Sequence, residues 1–106
     1  MSFYAVTREA GSDWAEGGIA AQPGVAEHAA FMNELAGDGF VLFAGPLAGS
    51  EHDRVRALVI VDAGSEAQIH ERLAADPWVR SGHLRTVTVE TWSPFVGLER
   101  LGVTNS

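Results

Sequence analysis

Two ionisable residues occupy awkward places in this chain: Asp76 and His28. Asp76 precedes Pro77, and the residue before a proline is biased out of the helical region, so a helix running up to it must stop. A carboxylate at that end faces the negative pole of the helix macrodipole, the wrong pole for it. His28 lies three, four and seven residues before Phe31, Met32 and Leu35, on the apolar stripe that these make with Val25. An imidazole in a pocket, hydrogen-bonded to a carboxylate, is held in one tautomer and has its cation stabilised. That equips it for general acid or base work near neutral pH. The two residues are therefore expected as a pair. The alternative is structural: Asp76 closes the helix-end turn, and His28 fills space.

Other chemistry is thin. The remaining histidines, His52, His70 and His83, make no H-x-x-x-H spacing with each other or with His28, so no metal site is expected. Gly17-Gly18 and Gly37-Asp38-Gly39 do not lead from a strand into a helix as a phosphate cradle does. One inward histidine is little basis for haem. No cofactor is implied. Without cysteine there is no disulfide or thiolate chemistry, and without lysine no Schiff base. Trp78, Trp92, Phe43 and Trp14 are expected to shape a pocket for a small-molecule ligand, with Glu90 as a possible second carboxylate; the bland alternative for such aromatics is plain core.

The elements that must position these residues read as follows. Residues 2–8 have the aromatic and β-branched content of a strand, with Tyr4, Val6 and Arg8 on one face. Residues 9–23 are a glycine-rich loop, either a lid or a surface excursion packed by Trp14 and Ile19. Residues 24–36 predict a helix, with Pro23 suited to its first turn and Gly37 to its left-handed cap. Residues 39–45 and 55–62 predict two strands, apolar on both faces apart from Arg56, joined as an antiparallel hairpin by a polar loop that carries His52 and Asp53. Residues 65–75 predict a second helix with Ser65 and Gln68 at capping-box spacing. After Pro77 a short turn leads to a last strand over 83–92. Strict alternation puts Leu84, Thr86, Thr88, Glu90 and Trp92 on one face, a mixture suited to a wet pocket. Phe95, Val96, Leu98 and Leu101 make the tail too apolar for a disordered end, so residues 96–106 are expected to pack on the domain or on a partner subunit.

The order β-α-β-β-α-β is the ferredoxin-like pattern: a four-stranded antiparallel sheet with two helices on one face. Its other face needs a cover, and a second copy laid sheet against sheet supplies one. A chain of 106 residues makes one domain, here residues 1–95 plus the tail, and a domain this small gains from forming a homodimer. A net charge of −7 and the lack of any basic run argue against nucleic acid and against an anionic membrane surface. The apolar runs are too short to span a bilayer, and the N-terminal residues lack signal-peptide character, so a cytoplasmic location is expected.

These pieces together resemble the YCII-like proteins, small members of the dimeric α+β-barrel superfamily. The resemblance rests on the N-terminal strand, the helix with Pro23 and His28 near its start, Gly39 followed by Ala44-Gly45-Pro46-Leu47, Asp76-Pro77-Trp78, and the final strand ending at Trp92. It covers roughly residues 2–95. The resemblance implies a dimeric α+β barrel and a histidine–aspartate pair in a pocket, here His28 and Asp76, serving acid/base catalysis. Some relatives eliminate chloride from chlorinated hydroxyquinols, and muconolactone isomerases are more distant cousins. The long 9–23 loop and the extended tail depart from the compact members. The expectation is a small enzyme performing elimination or isomerisation, a lyase or isomerase, on a cyclic or aromatic-derived metabolite. The alternative is a non-catalytic small-molecule binding or sensing dimer.

Overall fold

The structure, a computed structural model, describes residues 2–101. Four strands, β1 (Phe3–Ala10), β2 (Val41–Pro46), β3 (Arg56–Asp62) and β4 (Leu84–Trp92), form one sheet in the order β2-β3-β1-β4. All three pairings are antiparallel. Helix α1 (Val25–Gly37) joins β1 to β2, and α2 (Glu66–Leu73) and the short α3 (Pro77–Arg80) join β3 to β4. This is the expected ferredoxin-like fold with one added helical turn. β1 runs two residues further than its sequence pattern indicated, because Glu9 and Ala10 still pair with β4.

The core lies between the helices and one sheet face. Val6, Val59, Val61 and Val41 supply the sheet side, and Leu35, Ile69 and Leu73 the helix side. Each such side chain, once buried, stabilises the fold by about 1.5–3 kcal/mol.

The caps are local sequence made visible. Gly37 remains helical, and the left-handed residue is Gly39 (φ +81°). The Phe40 N–H donates to the Leu35 carbonyl and the Gly39 N–H to that of Ala36, both at 3.1 Å. This closes a Schellman turn whose apolar ends, Leu35 and Phe40, share the core. At the other end of α1 the cap is Gly24, also left-handed (φ +79°), so Pro23 stands one position outside the helix and not in its first turn. Ser65 caps α2 by accepting from the Gln68 N–H, and the Gln68 amide oxygen reaches back to the Gly64 N–H.

Both edge strands carry a one-residue irregularity. Thr7 faces Thr88 while Arg8 faces Thr86, so Val87 is the extra residue in β4. Val41 faces Val61 while Phe43 faces Ile60, so Leu42 is the extra residue in β2. A bulge exchanges the two faces for every residue beyond it. Leu84 and Thr86 consequently share the helix-side face with Val89, while Thr88, Glu90 and Trp92 lie on the opposite face. The single alternating face expected for β4 does not exist. That opposite face is open and rich in large apolar side chains, with Phe43 55 % exposed alongside Leu58 and Trp92. In the tail, Phe95 and Val96 are over 90 % exposed, so they do not pack on their own domain. A 3₁₀ turn spans Leu98–Leu101, and residues 102–106 of the expected tail lie outside the described residues. Among the described residues no helix is long and apolar enough to cross a membrane.

Candidate active site

Asp76 is the hub of the site. It does not face the C-terminal pole of α2, which ends at Leu73, but caps the N-terminus of α3. Its Oδ1 accepts the Trp78 N–H at 2.9 Å, and Pro77 holds the first helical position, where its missing N–H costs nothing. The carboxylate is fully buried. His28 Nδ1 lies 2.9 Å from both Asp76 oxygens, and Arg8 Nη2 donates to Oδ2 at 2.8 Å. Each residue arrives from a different element: Arg8 from β1, His28 from α1, Asp76 from the α2–α3 junction.

Burial opposes ionisation of Asp76. The hydrogen bonds from His28 and Arg8, the Arg8 charge and the Trp78 N–H outweigh it, so the carboxyl is held below the usual aspartate range. Burial also lowers the Arg8 pKa, against the pull of Asp76. An ionised Asp76 accepts from His28 Nδ1–H, which fixes the tautomer and leaves the lone pair on Nε2. Nε2 makes no hydrogen bond to protein among the described residues, and the His28 ring lines a cavity of about 310 Å³.

The ring is also clamped from the side. Trp78 stacks on His28 with centroids 4.1 Å apart and planes 11° from parallel. Trp78 is fixed in turn by its Nε1–H, which donates to the Pro23 carbonyl at 2.8 Å, and by an edge-to-face contact with Trp14, centroids 5.5 Å apart. The cavity wall is otherwise mostly apolar, with Ile19, Met32, Pro46, Val59 and Leu84 among its lining.

The expected site residues therefore divide. His28, Asp76 and Trp78 come together. Trp14 stands behind Trp78, buried, with its Nε1–H shared between the Gly17 and Asp53 carbonyls, and it does not line the cavity. Phe43, Glu90 and Trp92 are on the open sheet face, outside this cavity, because the bulges at Leu42 and Val87 turn them away. The 9–23 loop contributes Ile19 to the cavity wall. It is tied to itself by the buried Gln22 side chain, which bonds Ala15, Gly17 and Gly18. Arg8 is the member that sequence reasoning passed over. Its signal was a charged residue on the same strand face as Tyr4 and Val6. His52 and His70 are solvated, and His83 pairs with Ser81 at the surface. Among the described residues no three histidines, cysteines or carboxylates gather as a metal site.

No curated protein sequence matches the chain. Among solved structures, it is similar in fold to the 5-chloro-2-hydroxyhydroquinone dehydrochlorinase of Burkholderia phenoliruptrix AC1100, solved in complex with 2,5-dihydroxybenzoquinone. The two are 20 % identical with a TM-score of 0.65, and the match spans 86 % of this chain and 93 % of the other. The model of the YCII-related domain matches residues 3–93, nearly the whole described fold, and the chain therefore belongs to the YCII-related domain family.

Proposed function

We propose that this protein is a small cytoplasmic enzyme, working as a homodimer, that performs proton-transfer chemistry on a cyclic or aromatic-derived metabolite. The observation that carries the reading is the split role of the His28 ring: Nδ1 is tied to a buried carboxylate, and the ring lines an apolar cavity with Nε2 unengaged among the described residues. Nε2 takes a proton from an O–H or C–H of the bound ring. In an elimination from the keto tautomer of the ring, in which the carbon bearing the leaving group is saturated, the electron pair so released moves through the ring and expels a leaving group such as chloride; the imidazolium then returns its proton to solvent. In an isomerisation, the same proton is delivered to a different carbon. Asp76 orients the imidazole and stabilises its cation. The dehydrochlorinase activity of the fold neighbour supports this substrate class.

The homodimer is supported by the open, apolar sheet face, which a second copy covers sheet to sheet. The test of function is turnover by wild type and His28→Gln across chlorinated and unchlorinated hydroxyhydroquinones and unsaturated lactones. The expected loss in kcat/KM is about 10²–10⁴-fold, the usual worth of a positioned acid/base. A variant within a few-fold of wild type on every accepted substrate overturns the catalytic role. A second reading, a non-catalytic binding or sensing dimer, draws on Arg8, which already matches the charge of Asp76. Ligand binding without turnover selects it.

A further inference from the structure

The Arg8 guanidinium is buried to 1 % exposure, yet its hydrogen bonds are incomplete. Five N–H groups are available. Among the described residues Nη2 serves Asp76, Nη1 meets only the Met32 thioether at 3.6 Å, and Nε has no partner. Sulfur is a weak acceptor, and an unsatisfied donor on a buried cation is costly. Arg8 and Met32 both line the cavity that His28 lines. Arg8 and His28 also share one carboxylate oxygen, Asp76 Oδ2, so the cation sits beside the proposed base.

We infer that Arg8 binds a ring-borne oxyanion of the ligand, a phenolate or enolate, which displaces the Met32 thioether as the partner of Nη1. The exchange replaces a weak acceptor by a charge-assisted one in a site of low polarity, where such bonds are strongest. It deepens the proton-transfer reading and rests on it in one respect: removal of a ring proton by His28 leaves negative charge on a ring oxygen, and Arg8 is the cation placed to receive it. The substrate class is thereby narrowed to rings with an acidic hydroxyl. Met32 is unbranched and flexible, so it can yield without moving the backbone.

The test is calorimetric binding of two probes at neutral pH: 2,5-dihydroxybenzoquinone, and 2,5-dimethoxybenzoquinone, in which both acidic hydroxyls are blocked. Wild type is expected to bind the dihydroxy probe at least about tenfold more tightly than the dimethoxy probe, as a charge-assisted hydrogen bond requires. Arg8→Gln alone risks unfolding, since it strands a buried carboxylate. The comparison is therefore between Asp76→Asn, which keeps the guanidinium, and Arg8→Gln/Asp76→Asn, which removes both charges. The double variant is expected to lose at least about tenfold in affinity for the dihydroxy probe relative to Asp76→Asn. If the variants do not fold, wild type with a ¹³C-labelled Met32 methyl gives the answer: its resonance shifts with the dihydroxy probe and not with the dimethoxy probe. Equal affinity for the two probes, no binding of either, or equal dihydroxy affinity in the two variants overturns the inference. These are binding measurements without chemistry, so they fail or succeed independently of the His28→Gln turnover test.

Discussion

His28 and Trp78 lie face to face, 4.1 Å between ring centroids, and both are held by Asp76: one through Nδ1, the other through its backbone N–H. A single carboxylate thus sets the tautomer of the imidazole and the position of the ring that supports it. This couples a helix cap to the orientation of a catalytic candidate 48 residues away in sequence.

Replacement of Trp78 separates packing from hydrogen bonding. Trp78→Ala removes a fully buried aromatic and is expected to cost about 3–5 kcal/mol. Trp78→Phe keeps a ring against His28 and loses the bond to the Pro23 carbonyl, with an expected loss of about 1 kcal/mol from that bond and any further loss from the smaller ring. Urea unfolding of both variants checks this. Equal losses would show that the stacked ring contributes nothing of its own.

The Arg8–Asp76 pair is expected to be worth more intact than either half suggests. Arg8→Met alone leaves a buried carboxylate short of its cation, at a cost of about 3–5 kcal/mol. Arg8→Met/Asp76→Asn removes both charges and is expected to lose clearly less than the sum of the two single variants. A double-mutant cycle on unfolding free energies reads the coupling directly. Additive single losses would mean that the pair does not act as a unit.

Acid stability follows from the carboxyl of Asp76. Its pKa is depressed in the folded protein, so its contribution to stability is complete above the ordinary aspartate value of about 3.9 and is lost as pH falls through the lower folded value. The stability of the wild type is expected to drop more steeply below pH of about 4 than that of Asp76→Asn. Thermal melts from neutral pH downward compare the two slopes, and parallel curves would contradict the depressed pKa.

A charge on the open sheet face should separate the protomers. Phe43→Glu and Leu58→Glu each put a carboxylate into the proposed sheet-to-sheet seam, where burial without a partner is costly. Sedimentation at micromolar concentration is expected to give a dimer for wild type and monomer for either variant. The folded sheet should survive in both, since these side chains are exposed in the protomer. A monomeric wild type would remove the homodimer from the proposal.

Local sequence determined much of this protein. Composition and periodicity specify the β-α-β-β-α-β order, because alternation and helical spacing are properties of neighbouring residues. Ser65-x-x-Gln68 marks the start of α2 and Pro77 lies just beyond its end, and the inward position of His28 follows from its place among Phe31, Met32 and Leu35. The contact between His28 and Asp76 was expected from two ionisable residues in places that looked awkward along the chain, although Asp76 sits in a favourable one, the N-cap of α3.

Tertiary structure decided what depends on register and on distance. One extra residue at Val87 and one at Leu42 exchange the faces of two strands, and strict alternation along the chain cannot show where such a residue is inserted. Phe43, Glu90 and Trp92 therefore lie on the open face, while Leu84 stays in the cavity. The third member of the charge cluster, Arg8, meets Asp76 across 68 residues of sequence. Its burial is tolerable only because the fold delivers that carboxylate, so nothing in the run Ala5-Val6-Thr7-Arg8 by itself announces the partner.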